Sequence, residues 1–167
     1  FPGAIQCDVT RGLPYEDNSV EGIVTSHFLE HLHPFRQLPF VLEEFRRVLQ
    51  PGGVVRLAVP DLLTLKNAYA VGDFDAHAST QRGLPVPFND LPLALQFSAI
   101  VFGNNSGNAL YDGHQAAWDF DAMTWALERA GFARCMSVMP GDSRHPTLMQ
   151  RYQDKHVEQS LIMEAVK

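Results

Sequence analysis

The sequence is short of cysteine, of basic clusters and of long apolar runs. Its two cysteines, Cys7 and Cys135, show no metal-binding or redox spacing, which makes a reduced cytoplasm the expected location. Thirteen basic and nineteen acidic side chains leave a net charge of −6. Since no Lys/Arg cluster offsets this charge, binding to nucleic acid is not expected. The longest apolar stretch, near residues 91–102, is interrupted by Gln96 and Ser98 and is too short to span a bilayer, so no membrane partner is expected.

The composition that remains is that of an ordinary globular domain. Apolar residues make up 46% of the chain and charged residues 19%, a balance that favours folding over disorder. A length of 167 residues suits one domain with a real core. We therefore treat residues 1–167 as a single domain.

The first half of the chain shows a strand, a helix and a second strand. A turn-forming segment at 13–19 precedes an expected strand at 20–26, and another strand is expected at 54–59. Between them, apolar residues recur at helical spacing: Leu38, Val41, Leu42, Phe45, Val48 and Leu49. Pro51-Gly52-Gly53 is expected to end this helix. The order predicts an α/β fold with a parallel crossover.

The rest of the chain supports the same class. Ala4 to Val9 is expected to form a short strand, and Asp61 to cap a helix over 62–71. Residues 72–113 are irregular, with one helix near 91–102, which is typical of a lid or substrate wall. Asp119 is expected to cap a last helix. Its expected apolar face is Phe120, Met123, Leu127 and Ala130. Strands at 133–139 and 160–166 would then form an antiparallel edge.

An ordered set of motifs resembles the class I S-adenosylmethionine-dependent methyltransferases, in particular the small type 11-like group with a Rossmann-like sheet. The residues that carry the resemblance are Asp8, Leu13-Pro14-Tyr15, Asp17-Asn18-Ser19-Val20, Glu30-His31-Leu32, Glu44, Arg47-Val48-Leu49 and Pro51-Gly52-Gly53. The tail adds His114, Trp118-Asp119-Phe120, Ala130-Gly131-Phe132 and Glu164-Ala165-Val166-Lys167. The set covers most of the chain, loosely in 72–113.

The resemblance implies methyl transfer from S-adenosylmethionine to a small-molecule acceptor. Asp8 matches the family's acidic residue that binds the adenine amino group, and Val9 would pack beside the ring. Ser26 and His27 match the strand end next to the methyl donor, where such sheets hold ligands. Tyr111, His114 and Trp118 are expected to line the acceptor side, by position alone.

The family's glycine-rich loop and the acid that ends its second strand have no counterpart in this sequence. About fifty residues would be absent upstream, judged from the usual size of a βαβ unit, so the sheet is expected to be N-terminally incomplete. The strand at 20–26 would then have a bare edge. Bare edges recruit partners, so we expect residues 1–9 or a second copy of the chain to cover it.

Other interpretations of the same residues stay open. His27 could be a general base, since imidazole titrates near neutrality, or could simply hydrogen-bond a loop. His31 is expected to fix the start of its helix. His27-Phe28-Leu29-Glu30-His31 also fits the inverted zinc-peptidase motif, although His27 lies at a strand-to-helix junction and no metal is expected. A non-catalytic remnant that binds a partner is the third alternative.

Overall fold

The core of the molecule is a four-stranded sheet in a computed structural model that describes residues 4–78, 84, 86–103, 113–145, 148 and 156–167. The strands are β1 (Val20–Ser26), β2 (Leu49–Pro60), β3 (Ala133–Ser137) and β4 (Ser160–Val166). The helices are α1 (Leu38–Val48), α2 (Leu62–Val71), α3 (Asp75–Ala78), α4 (Leu93–Val101) and α5 (Phe120–Arg129). None of the helices in these ranges is long and apolar enough to cross a membrane.

The sheet has the order β1-β2-β4-β3 and is open. β1 and β2 run parallel, whereas β4 is antiparallel to both β2 and β3. The predicted parallel crossover and the antiparallel C-terminal edge are therefore confirmed, and the fold is α/β. In the described part of the chain, β1 has a hydrogen-bonded neighbour on one side only.

The hydrophobic core lies between the sheet and the helices α1 and α5. The predicted apolar positions of α1 and Leu49 are all buried. In α5 the predicted face is right at Met123 and Leu127, which are fully buried, but wrong at Phe120, which is 38% exposed. Ala126 is buried in its place, together with Trp118 just before the helix. Phe120 is the first residue of the helix, directly after the Asp119 cap, and its side chain lies at the edge of the packed face.

Both predicted aspartate caps are present. The Asp61 carboxylate accepts a hydrogen bond from the Leu63 amide at 3.0 Å, and the Asp119 carboxylate accepts one from the Ala122 amide at 2.8 Å. Each bond satisfies a backbone N–H that has no partner inside its helix. Residues 62–71 form the predicted helix because this cap fixes its start.

Pro51-Gly52-Gly53 lies inside β2 rather than between a helix and a strand. α1 already ends at Val48, and the Gly52 amide donates to the carbonyl of Lys167 at 3.2 Å. A side chain at Gly53 would come within 2.9 Å of the carbonyl oxygens of Gln50 and Glu21. The glycine therefore allows a close backbone approach, and the turn becomes an irregularity in a longer strand.

The predicted strand over Ala4 to Val9 is wrong. Residues 4–8 carry no strand, and Asp8 instead caps a single 3₁₀ turn at Val9–Arg11. The Asp8 carboxylate accepts hydrogen bonds from the amide and the hydroxyl of Thr10, at 3.0 and 2.7 Å. Such local side-chain bonds compete with extended structure. Residues 4–9 thus do not pair with β1.

A buried ion pair lies on the face of the sheet opposite α1 and α5. Arg56 of β2 and Glu164 of β4 are cross-strand neighbours, each with its side chain 1% exposed, and Arg56 Nη1 lies 2.9 Å from Glu164 Oε1. The Arg144 amide donates to the other carboxylate oxygen at 2.9 Å, and Arg56 Nη1 donates to the Asp142 carbonyl. The pair therefore holds the segment at 142–144 over the sheet.

Candidate functional site

The candidate site begins where β1 ends. Ser26 is the last residue of β1, and the amide of His27 still donates to the Ala58 carbonyl of β2 at 2.9 Å. His27 then adopts a left-handed conformation with φ of 49°. This conformation is uncommon for a residue with a Cβ. It turns the chain sharply, so that the following 3₁₀ turn, Leu29–His31, packs into the molecule.

Glu30 in that turn is buried. Its side chain is 1% exposed, and neither carboxylate oxygen has a hydrogen-bond partner among the described residues. Its backbone carbonyl accepts hydrogen bonds from the amides of Gln115 and Ala116, at 2.7 and 3.3 Å. These bonds bring the segment after residue 112 to the end of β1. A buried acid without hydrogen bonds is costly in free energy, which marks the position as one with a role other than stability.

Three imidazoles surround the Glu30 carboxylate, and we call the four residues His27, Glu30, His31 and His114 the imidazole–carboxylate cluster. His27 Nδ1 and His31 Nε2 lie 3.5 and 3.9 Å from Glu30 Oε1. The rings of His31 and His114 meet edge to face, with centroids 5.0 Å apart. The cluster thus joins residues that are distant in the sequence.

His114 is a partly buried imidazole of the cluster. Burial lowers its pKa, while the nearby Glu30 carboxylate acts in the opposite direction. Its Nδ1 lies 3.2 Å from the carbonyl of Val101, the last residue of α4. Because a carbonyl can only accept, Nδ1 carries the proton and Nε2 keeps its lone pair. The ring is neutral and its orientation is fixed.

The hydroxyl of Ser160 determines the tautomer of His27. That hydroxyl donates its single proton to the His156 carbonyl at 2.8 Å and lies 2.9 Å from His27 Nε2. Its oxygen can therefore only accept from His27, so Nε2 is protonated. In the neutral ring, Nδ1 then presents a lone pair next to Glu30.

Asp8 and Val9 lie before β1. The pKa of Asp8 is lowered, first by the hydrogen bond from the Thr10 hydroxyl, so the exposed carboxylate is charged at neutral pH. Its other oxygen lies 3.2 Å from Arg11 Nε. Val9 lines a groove of about 470 Å³ along β1, together with Phe28. The structure thus places Val9 against the strand, while Asp8 remains at the surface.

The three residues predicted to line the acceptor side, Tyr111, His114 and Trp118, do not all lie at one place in the structure. His114 belongs to the cluster. Trp118 is only 5% exposed: its indole is buried in the core, and its backbone bridges to Asp61. Tyr111 lies outside the described residues.

The inverted zinc-peptidase motif does not form its helical arrangement. His27 is left-handed and the next turn is 3₁₀, so His27 and His31 are not stacked one helical turn apart. His27 contacts Ser160 and His156, whereas His31 contacts His114. The expectation that His31 only fixes a helix start misses this contact. The sequence offers one indication that Glu30 is buried: it is a single acidic residue directly after the apolar pair Phe28-Leu29.

Comparisons with known proteins bear on the family pattern and the fold. Residues 2–57, about a third of the chain, match the family model described as "Methyltransferase domain". No protein of curated function matches the sequence. Among solved structures, a SAM-dependent methyltransferase from Thermotoga maritima aligns with a TM-score of 0.52 at 14% identity, over 95% of this chain and 61% of its own. A SAM-dependent methyltransferase from Archaeoglobus fulgidus aligns with a TM-score of 0.50 at 16% identity, over 98% of this chain and 66% of its own.

The chain therefore spans about two thirds or less of the length of these two structures. The resemblance seen in the sequence is confirmed for residues 2–57, which match the methyltransferase-domain model, and the Rossmann-like fold of the chain is similar to that of these two SAM-dependent methyltransferase structures.

Proposed function

We propose that this chain takes part in methyl transfer from S-adenosylmethionine to a small-molecule acceptor at the carboxyl end of β1. The observation that carries the proposal is the imidazole–carboxylate cluster at this strand end. Open α/β sheets bind ligands outside the carboxyl ends of their parallel strands. Besides the methyl donor, the transfer needs a group that takes a proton from the acceptor. An imidazole of the cluster, next to the buried Glu30 carboxylate at the end of β1, can supply that group.

The residues proposed to hold the donor fit it in part. Ser26 and His27 lie at the end of β1, and Val9 lines the apolar groove beside that strand. The exposed Asp8 carboxylate is charged and retains lone pairs for another hydrogen bond, as an adenine amino group would require. The donor supplies the activated methyl group, and the chain positions the acceptor.

The proposed base is His27. Ser160 fixes its ring through Nε2, which leaves Nδ1 to accept the proton that the acceptor loses. The Glu30 carboxylate, 3.5 Å from Nδ1, would stabilise the imidazolium that results. Positioning accounts for much of the rate in a displacement of this kind. His27 is thus the proposed catalytic residue and Ser160 a positioning residue.

We propose the class of acceptor from the net charge of the chain and from the position of the segment 72–113. With a net charge of −6, the chain is unsuited to a polyanion. The segment 72–113, which ends next to His114, is the variable part that would select the acceptor. A sugar, a lipid headgroup or another small metabolite fits this description, and nucleic acid does not.

The test is binding of S-adenosylmethionine and S-adenosylhomocysteine by calorimetry and thermal shift. We expect both ligands to raise the melting temperature. Asp8→Asn should weaken binding about 10- to 150-fold, since a hydrogen bond to a charged group contributes about 1.5–3 kcal/mol. Asp121→Asn, at an exposed aspartate of α5 outside the proposed site, is the matched control. Absence of any shift in the wild-type chain would contradict cofactor binding and favour the non-catalytic binding domain.

A further inference from the structure

We infer that Glu30, His31 and His114 form a binding site for one divalent transition-metal ion. One ligating atom from each residue lies within 4.8 Å of the other two. Two ligands of one ion at about 2.1 Å each can be at most about 4.2 Å apart. Small rotations of the side chains therefore bring the three atoms into coordination distance.

The buried carboxylate is the first argument for the ion. Glu30 is 1% exposed, and no described residue donates a hydrogen bond to either oxygen. The two nearest imidazole nitrogens, on His27 and His31, are 3.5 and 3.9 Å away, beyond hydrogen-bond range. Burial of an unpaired carboxylate costs several kcal/mol. A cation bound to these oxygens removes that cost.

The orientation of His114 is the second argument. Its Nδ1–H donates to the Val101 carbonyl, which leaves the Nε2 lone pair for a ligand. Imidazoles that bind metals commonly donate their other ring N–H to a backbone carbonyl or a carboxylate, a bond that fixes the tautomer and the ring plane. The partner at Val101 is in place without the ion, so the ring is already oriented for binding.

The ligand set indicates the class of ion. Two imidazole nitrogens and one carboxylate oxygen suit Zn²⁺, Co²⁺, Fe²⁺ or Mn²⁺, whereas Ca²⁺ and Mg²⁺ prefer sites made of oxygen alone. Three protein ligands leave coordination positions open. The site also differs from the inverted zinc-peptidase motif, because Glu30 is a ligand here and His114 replaces His27.

An ion with open positions next to His27 gives the proposed reaction a way to hold its acceptor. It would bind the acceptor through an oxygen atom, which selects small molecules that bear a hydroxyl group. This role rests on the proposed function, whereas the binding of the ion does not.

The experiment is titration of Co²⁺ into the chelator-treated chain, followed by visible absorption. We expect one equivalent to bind with d–d bands typical of nitrogen and oxygen ligands, and to raise the melting temperature. Glu30→Gln and His114→Gln should each weaken binding by about 100-fold or more, the upper end of what loss of a supporting contact costs. His33→Asn, three residues after Glu30 and outside the cluster, should bind Co²⁺ as the wild type does.

Folding of each variant is checked by circular dichroism without metal. Because Glu30→Gln removes a buried charge, its metal-free form should be at least as stable as the wild type. Failure of the wild type to bind Co²⁺, or equal binding by Glu30→Gln and His114→Gln, would overturn the inference. Binding of Co²⁺ without any response to S-adenosylmethionine would contradict the proposed function alone, and the reverse result would contradict the metal site alone.

Discussion

Replacement of Arg56 by methionine is predicted to destabilise the chain severely. Methionine keeps an apolar stem about as long as the methylene part of arginine but removes the guanidinium charge that faces Glu164 across the strands. Among the described residues, Glu164 would then retain only the amide of Arg144 as a hydrogen-bond donor. Removal of one partner from a buried ion pair costs about 3–5 kcal/mol. Domains are stable by about 5–15 kcal/mol in total.

The expected loss corresponds to a fall in melting temperature of about 6–20 °C, since each kcal/mol shifts a domain of this size by about 2–4 °C. Calorimetry and urea unfolding would measure it. The surface variant Arg36→Met is the matched control and should shift stability by less than about 0.5 kcal/mol. The double variant Arg56→Met/Glu164→Leu, which removes both charges, should recover more than half of the loss, because apolar pairs of similar size replace buried ion pairs well.

Two results would refute this reasoning. Equal stability of Arg56→Met and Arg36→Met would show that the pair contributes nothing measurable. A double variant as unstable as the single one would show that the hydrogen bond from Arg56 to Asp142, which holds the covering segment, outweighs the charge on Glu164.

Three further predictions follow from other contacts. The hydrogen bond from Arg47 lowers the pKa of Glu44, so this contact stabilises the fold above the unfolded-state pKa near 4.5 and is lost as pH falls through the lower folded value. Glu44→Gln should therefore cost about 1–2 kcal/mol at pH 7 and progressively less as the pH falls below the unfolded-state pKa, as measured by urea unfolding, and a pH-independent cost would contradict this. Burial raises the pKa of the Cys135 thiol, while Cys7 is exposed. A thiol reagent should therefore modify Cys7 quickly and Cys135 slowly, and the fast phase of modification should vanish in Cys7→Ser. Because no described residue pairs with the outer edge of β1, we propose that a second copy of the chain covers it, and light scattering that finds a monomer at all concentrations would refute this.

The sequence was most predictive where local chemistry decides the structure. Asp61 and Asp119 were identified as caps because an aspartate before an apolar periodic segment satisfies backbone donors of the next turn, whatever surrounds it. The face of α1 was found for a similar reason, since burial of one side requires helical spacing. These signals lie within a few residues of the structure they specify.

The predictions from the sequence are wrong where contacts between distant parts of the chain determine the local structure. Ala4 to Val9 has the composition of a strand, but a strand needs a neighbour, and the turn capped by Asp8 offers its backbone a local alternative. Pro51-Gly52-Gly53 became part of β2 because the C-terminal residue Lys167 pairs with it. Neither outcome can be read within a short window of sequence.

The candidate site shows the same division. Ser26 and His27 could be placed at the end of β1 from strand order alone. The contact of His114 with His31, and the bond from His27 to Ser160, depend on how the chain returns to this strand end after long intervening segments. No spacing predicts such contacts, so the cluster emerged only from the three-dimensional arrangement.

The left-handed backbone at His27 sets stability against activity at a single position. A residue with a Cβ is less stable in this conformation by about 1–2 kcal/mol, whereas glycine adopts it freely. Selection of variants for heat resistance alone should therefore favour His27→Gly, and the same change would remove the imidazole that faces Glu30 and Ser160. Retention of histidine through such a selection would indicate that its contacts with Glu30 and Ser160 outweigh the conformational cost.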